Sequence, residues 1–158
     1  MRGRTIAVVA AMLTTAALIG VACNDNNSTG IPSGLEVYTA QLNGANEAPT
    51  PVTTTARGHA IVTVMGDLVS WKVDIDAAID SMTAGHIHRH AADSVAGNVQ
   101  IPFAVAASGI GFTGNAATGS ATAPNDSIIA LMRAGRTYVN IHTKANLGGE
   151  IRGTLVKQ

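Results

Sequence analysis

Residues 68–76 alternate without a break. Val69, Trp71, Val73 and Ile75 fall in one phase; Ser70, Lys72, Asp74 and Asp76 fall in the other. Side chains of an extended strand point to opposite faces in turn. This pattern therefore asks for a strand with one face on a core and one toward water, the habit of antiparallel sheets. Helical periodicity is almost absent elsewhere, and the same two-residue period recurs along the chain. Strands are expected over residues 36–42, 59–64, 84–88, 98–105, 137–143 and 150–156, with a weakly patterned one within residues 109–123. Within 98–105, Val99, Ile101, Phe103 and Val105 share a phase, and Pro102 points to an edge position. Gly66-Asp67 suggests a hairpin turn. Asn125-Asp126-Ser127 offers capping chemistry for one short helix over 128–134, stopped by Gly135. Many short strands with frequent turn signals argue for an all-β antiparallel sandwich or barrel with that single helix.

The region before this domain reads differently. Arg2 and Arg4 precede an uncharged apolar run through Ala22, which is the layout of a secretory signal peptide and is short for a membrane span. The run stops at Cys23, the only cysteine, after Gly20-Val21-Ala22. This resembles the lipobox of bacterial lipoproteins, with Gly20 standing where that motif usually has an aliphatic residue. The resemblance implies a signal peptide over 1–22, a lipidated Cys23, and an exported protein anchored to a membrane of the cell envelope. Residues 23–34 are polar and punctuated by Gly and Pro, as a flexible tether would be. The β domain then covers 35–158. Without Arg2 and Arg4 the chain carries eight basic against ten acidic side chains, which leaves no electrostatic footprint for nucleic acid.

Chemistry concentrates in the histidines. In His86-Ile87-His88 the two imidazoles share a face, ~6.5 Å apart along the strand, while Ile87 turns to the core. In 138–143, Val139 and Ile141 face one way, and Tyr138, Asn140 and His142 the other. Two strands presenting imidazoles in this manner can build a site for copper or zinc from His86, His88 and His142, with His90 or His59 as further candidates. The other reading is a hydrogen-bonded polar layer, in which Asn140, Thr143, Glu150 and Arg152 supply the partners a buried imidazole needs. Glu47 lies in a loop fixed by Gly and Pro, and either carries function or pins that loop through Arg57 or Arg152. Glu150 and Arg152 share a face of the last strand and are expected to pair with the histidine layer. His59 reads as structural, His90 as a turn residue, and Trp71 as core. The spacing of Asp74, Asp76 and Asp80 lacks the Gly and Glu of a calcium loop. No nucleophile motif of the Gly-x-Ser-x-Gly kind occurs.

Five blocks occur in order: Leu42-Asn43-Gly44-Ala45-Asn46-Glu47-Ala48-Pro49, Ala56-Arg57-Gly58-His59-Ala60, His86-Ile87-His88, Gly135 through Thr143, and Gly148-Gly149-Glu150-Ile151-Arg152-Gly153. Together they resemble the CHRD domain, first described in chordin and found singly in bacterial exported proteins. The resemblance spans about residues 36–156. It implies an immunoglobulin-like β-sandwich or barrel and brings no established activity with it. Where the family usually has a Gly-rich turn after His-x-His, this chain has Arg89-His90-Ala91-Ala92-Asp93. His90 thereby continues the alternation. The His-x-His strand is also similar to copper ligands of copper–zinc superoxide dismutase, but five histidines and no cysteine pair do not reproduce that set. Three readings follow in order: a non-catalytic binding or structural module with a protein or small-ligand partner, a copper- or zinc-binding protein, and last a metalloenzyme.

Overall fold

The computed structural model describes residues 33–77, 79–91, 95–103 and 111–158. The signal peptide, Cys23 and nearly all of the tether lie outside the described residues. Among the described residues nine strands and one α-helix follow in chain order: β1 (Leu35–Asn43), β2 (Arg57–Met65), β3 (Leu68–Ile75), β4 (Met82–Arg89), β5 (Val99–Pro102), β6 (Ala116–Thr122), α1 (Asp126–Arg133), β7 (Thr137–Thr143), β8 (Ile151–Thr154) and β9 (Val156–Lys157). They form one antiparallel sheet in the order β5-β4-β7-β8-β1-β2-β3-β6, with β9 beside β1. The sheet curls into a nearly closed barrel.

The alternation explains the core. On β3, Val69, Trp71, Val73 and Ile75 are all buried, while Leu68 and Lys72 are exposed. Met65 pairs with Leu68 across Gly66-Asp67, and Gly66 takes φ +62, so the expected two-residue hairpin forms. Facing strands add Tyr38, Val62, Ile87, Val139 and Ile151, and Trp71 stacks on Phe103 with ring centroids 5.3 Å apart. Helix α1 contributes Ile128, Ile129 and Met132. Its Arg133 and the Lys157 ammonium both reach the Glu36 carboxylate, at 2.6 and 2.7 Å, and Tyr38 Oη donates to it at 2.8 Å. The hydrogen bonds from Arg133 and Lys157 hold the Glu36 carboxyl down at about 2. Replacing Ile87, which is fully buried between the two halves of the sheet, by Ala should cost about 3 kcal/mol of stability by chemical denaturation.

Three expectations are corrected. Val99 does not share the buried phase of Ile101 and Phe103; it is 44% exposed. The register explains this: Ile87 faces Ile101 while His88 faces Val99, so one step on β4 matches two on β5, and the bulge reverses the phase. Val105 lies outside the described residues. Pro102 is tolerated because β5 is an end strand of the sheet order. Residues 150–156 are not one strand. Buried Leu155 interrupts them, its N–H bonding Thr137 O at 3.0 Å, so that β8 pairs mainly with β7 and β9 only with β1. Asn125 occupies the helix N-cap but makes no side-chain capping bond.

Candidate metal centre

Strands β4 and β7 pair so that His86 faces Asn140, His88 faces Tyr138, and Ala84 faces His142. Ile87, Val139 and Ile141 fill the core side of these strands. The other side is not solvated as an outward face would be: every residue of β7 is buried. Two segments cover it, the turn after β7 and the stretch ahead of β5. They meet the histidines through backbone carbonyls.

The three rings gather. Centroids are 5.3 Å apart for His86 and His88, 5.0 Å for His86 and His142, and 5.7 Å for His88 and His142. One ring nitrogen of each lies within 4.8 Å of the others. His88 Nδ1 bonds Gly97 O at 2.9 Å, and His142 Nδ1 bonds Leu147 O at 2.9 Å. A carbonyl oxygen can only accept, so both Nδ1 atoms carry the proton and both Nε2 atoms carry a lone pair. Those two Nε2 atoms, and His86 Nδ1, are buried with no hydrogen-bond partner. Burial is the chief cause that lowers all three imidazole pKa values, His86 to about 4 with help from His142 and His88. They are neutral at pH 7.

This donor set fits a divalent metal. Three neutral imidazoles suit zinc or copper, and a second hydrogen bond from Nδ1–H to a carbonyl is the usual way a ligating histidine is oriented. Three protein nitrogens also leave a fourth position open. Zn–N bonds of ~2.0–2.1 Å need the nitrogens closer than 4.8 Å.

The remaining candidates fall elsewhere. His59 is on β2, separated from β4 by three strands in the sheet order, and lies between Asp74 and Asp76 at 3.4 and 3.0 Å. It belongs to a surface ion-pair group, not to the histidine layer. Asp74 also meets the Lys72 ammonium. His90 is half-buried, not a solvated turn residue; its ring meets Tyr138 edge-on at 5.0 Å, and it stays outside the three-nitrogen group.

The polar cluster is present but wired differently from the expectation. Among the described residues, Glu47 forms no ion pair with Arg57 or Arg152. Arg57 donates instead to Thr54 O and Ala56 O. The loop is pinned by backbone: Gly44 O accepts from Glu47 N–H and Val52 N–H, and Asn46 Nδ2 donates to Arg152 O at 3.0 Å. Glu47 is 6% exposed, and Asn140 Nδ2 reaches its Oε2 at 3.5 Å, while its Oε1 has no partner. Burial pushes its carboxyl up to about 7 against the pull of Arg152. Glu150 bonds Thr143 Oγ1 and Asn146 Nδ2 and does not pair with the histidines. Burial would raise its carboxyl, but hydrogen bonds from Thr54, Asn146 and Thr143 win and hold it below the usual range. Arg152 lies over the Tyr138 ring at 3.5 Å. Strand β7 runs between β4 and β8, so His88 reaches the same ring from the other flank, stacked at 4.9 Å. No residue pattern announces the carbonyls of Gly97 and Leu147, because any residue type can offer one.

Gly149 shows how tightly the layer is closed. It adopts φ +142, and a Cβ there would meet the Asn140 amide at 2.5 Å and Glu47 Oε2 at 2.6 Å. Gly149→Ala should cost about 2–4 kcal/mol, measured by urea unfolding, with both strain and collision contributing.

A curled antiparallel sheet that encloses three neutral imidazoles defines this molecule as a β-barrel module with a histidine layer between two neighbouring strands. The CHRD domain model matches residues 38–155, and the chain belongs to the CHRD domain family. No curated protein and no solved structure matches the chain.

Proposed function

We propose that this CHRD domain is a non-catalytic binding module, exported and held at a membrane through lipidated Cys23, whose histidine layer takes up a divalent copper or zinc ion. One observation carries the metal reading. The Nε2 atoms of His88 and His142 are buried, hold their lone pairs inward and have no partner, while their Nδ1 atoms are locked by carbonyls. A polar layer that served packing alone would leave these nitrogens at a cost of about 1–3 kcal/mol each. Metal coordination gives each of them a partner. His86, His88 and His142 would hold the ion; the metal would supply a positive centre with one open position. The export and anchoring reading is supported by the Arg-led apolar run and by the position of Cys23.

The test is metal content and titration. The full chain, purified without added metal and then titrated with Cu(II) or Zn(II), should bind one equivalent with micromolar or tighter affinity. His86→Ala should weaken that binding by about tenfold to a hundredfold. Equal affinity in the variant would remove these residues from the site. A folded protein that takes up no metal would leave the layer as packing alone.

A further inference from the structure

A second site lies on the other side of Arg152. We propose that the cavity between β1, β8 and the stretch before β5 binds a small carboxylate with a short apolar body, held by the Arg152 guanidinium. The cavity has a volume of about 560 Å³, within the range of small-molecule sites. Arg152 lines it and is 4% exposed. Its guanidinium donates to Val95 O and lies on the Tyr138 ring, yet no carboxylate among the described residues comes within ion-pair distance. A buried guanidinium without an acid is costly, and its planar fork matches a carboxylate in two parallel hydrogen bonds.

The rest of the lining agrees. Gln41, Asn46, Thr154 and Gln158 contribute amides and a hydroxyl, and His90 an imidazole; among the described residues no acid lines the cavity. Ala40, Ala48, Val95 and Val156 provide apolar wall against which a few methylenes can lie. Glu47 is the acid that Arg152 feels from its other side, and it does not line the cavity. Nothing in this argument needs a metal: the triad nitrogens of His86, His88 and His142 are not in the lining.

Hexanoate is the probe. Calorimetric titration of the full chain should show saturable binding below about 10 mM, with hexylamine giving none and inorganic phosphate failing to compete. Arg152→Met risks the fold, because the side chain packs on Tyr138. Thr154→Glu is the safer variant: Thr154 is exposed at the rim, and the new carboxylate would occupy the guanidinium itself. It should weaken hexanoate binding by at least about tenfold while leaving the thermal midpoint near that of the parent. Stripping metal with phenanthroline and desalting should not change the titration. The proposal is overturned by absence of saturable binding in the parent, by equal binding to Thr154→Glu, by phosphate competing as well as hexanoate, or by loss of binding after phenanthroline, which would place the carboxylate on a metal at the histidine layer.

Discussion

The histidine layer of the metal-free protein should lose its contribution to stability between pH 7 and pH 4, by up to about 3 kcal/mol at His86. The sign follows from where each proton sits. Burial lowers the folded-state pKa of His86 from 6.5 to about 4, and those of His88 and His142 in the same direction. Between those values the unfolded chain binds protons that the folded chain refuses. The histidine contribution to stability is therefore complete above about pH 6.5 and drains away as pH falls toward 4. For His86 alone the shift corresponds to about 3 kcal/mol as an upper figure. Arg152 adds to the refusal at His88, and Arg136 and Arg152 add to it at His90. Glu47 opposes, because burial raises its folded-state pKa and places its favourable contribution at low pH. Glu36 contributes in the same direction only at lower pH, since its carboxyl is held near 2.

Urea unfolding at half-unit pH steps would show the decline. His86→Ala should flatten it, because a methyl group titrates nothing. In a Glu47→Gln background, which removes the opposing titration, a profile that stays level from pH 7 to 4 would show that the imidazoles accept protons without penalty and that the layer is open to water. Saturating Zn(II) should raise the plateau above pH 6.5, since a ligand that binds only the folded state stabilises it by mass action. The zinc-dependent gain should shrink as protons compete for the same nitrogens.

The parts of this molecule that sequence reading reached are those where side chains do the specifying. Alternation placed β1, β2, β3, β4 and β7, sorted Ile87, Val139 and Ile141 from the histidines, and put His86, His88 and His142 on one face. It failed where backbone decides. The bulge between Ile87 and His88 turned Val99 outward with no residue to announce it, and the break at Leu155 depends on where one N–H finds its acceptor. The same limit applies inside the site. Asn140, Thr143, Glu150 and Arg152 were the visible candidates to satisfy the histidines, being the polar side chains nearest in the pattern. The structure uses two peptide carbonyls for that task and gives those side chains other partners. Glu47 and Arg152 carry opposite charge and stand in neighbouring segments, so a pair was a reasonable expectation. Arg152 instead lies over the Tyr138 ring, and that geometry depends on the β4-β7-β8 order, which is a tertiary fact.

Glu47→Gln should stabilise the protein at pH 8 and do almost nothing at pH 4.5. The carboxyl is buried, one oxygen has no partner and the other has only the long contact from Asn140. Burial raises its folded-state pKa from 4.5 to about 7. A raised pKa places the favourable contribution at low pH: the folded state holds its proton below about 4.5, and stability declines as pH climbs through 7 and the buried group must ionise. At pH 8 the ionised carboxylate therefore costs on the order of 2 kcal/mol relative to a neutral group of the same shape. Gln has that shape and no charge, and its amide can meet the unpartnered Oδ1 of Asn140. Denaturation of the variant and the parent should give curves that coincide near pH 4.5 and separate steadily to pH 8, the variant being the more stable. If the parent were the more stable at pH 8, the Glu47 charge would be engaged with Arg152 strongly enough to outweigh its burial, and the guanidinium would not be free to serve the cavity on its other side.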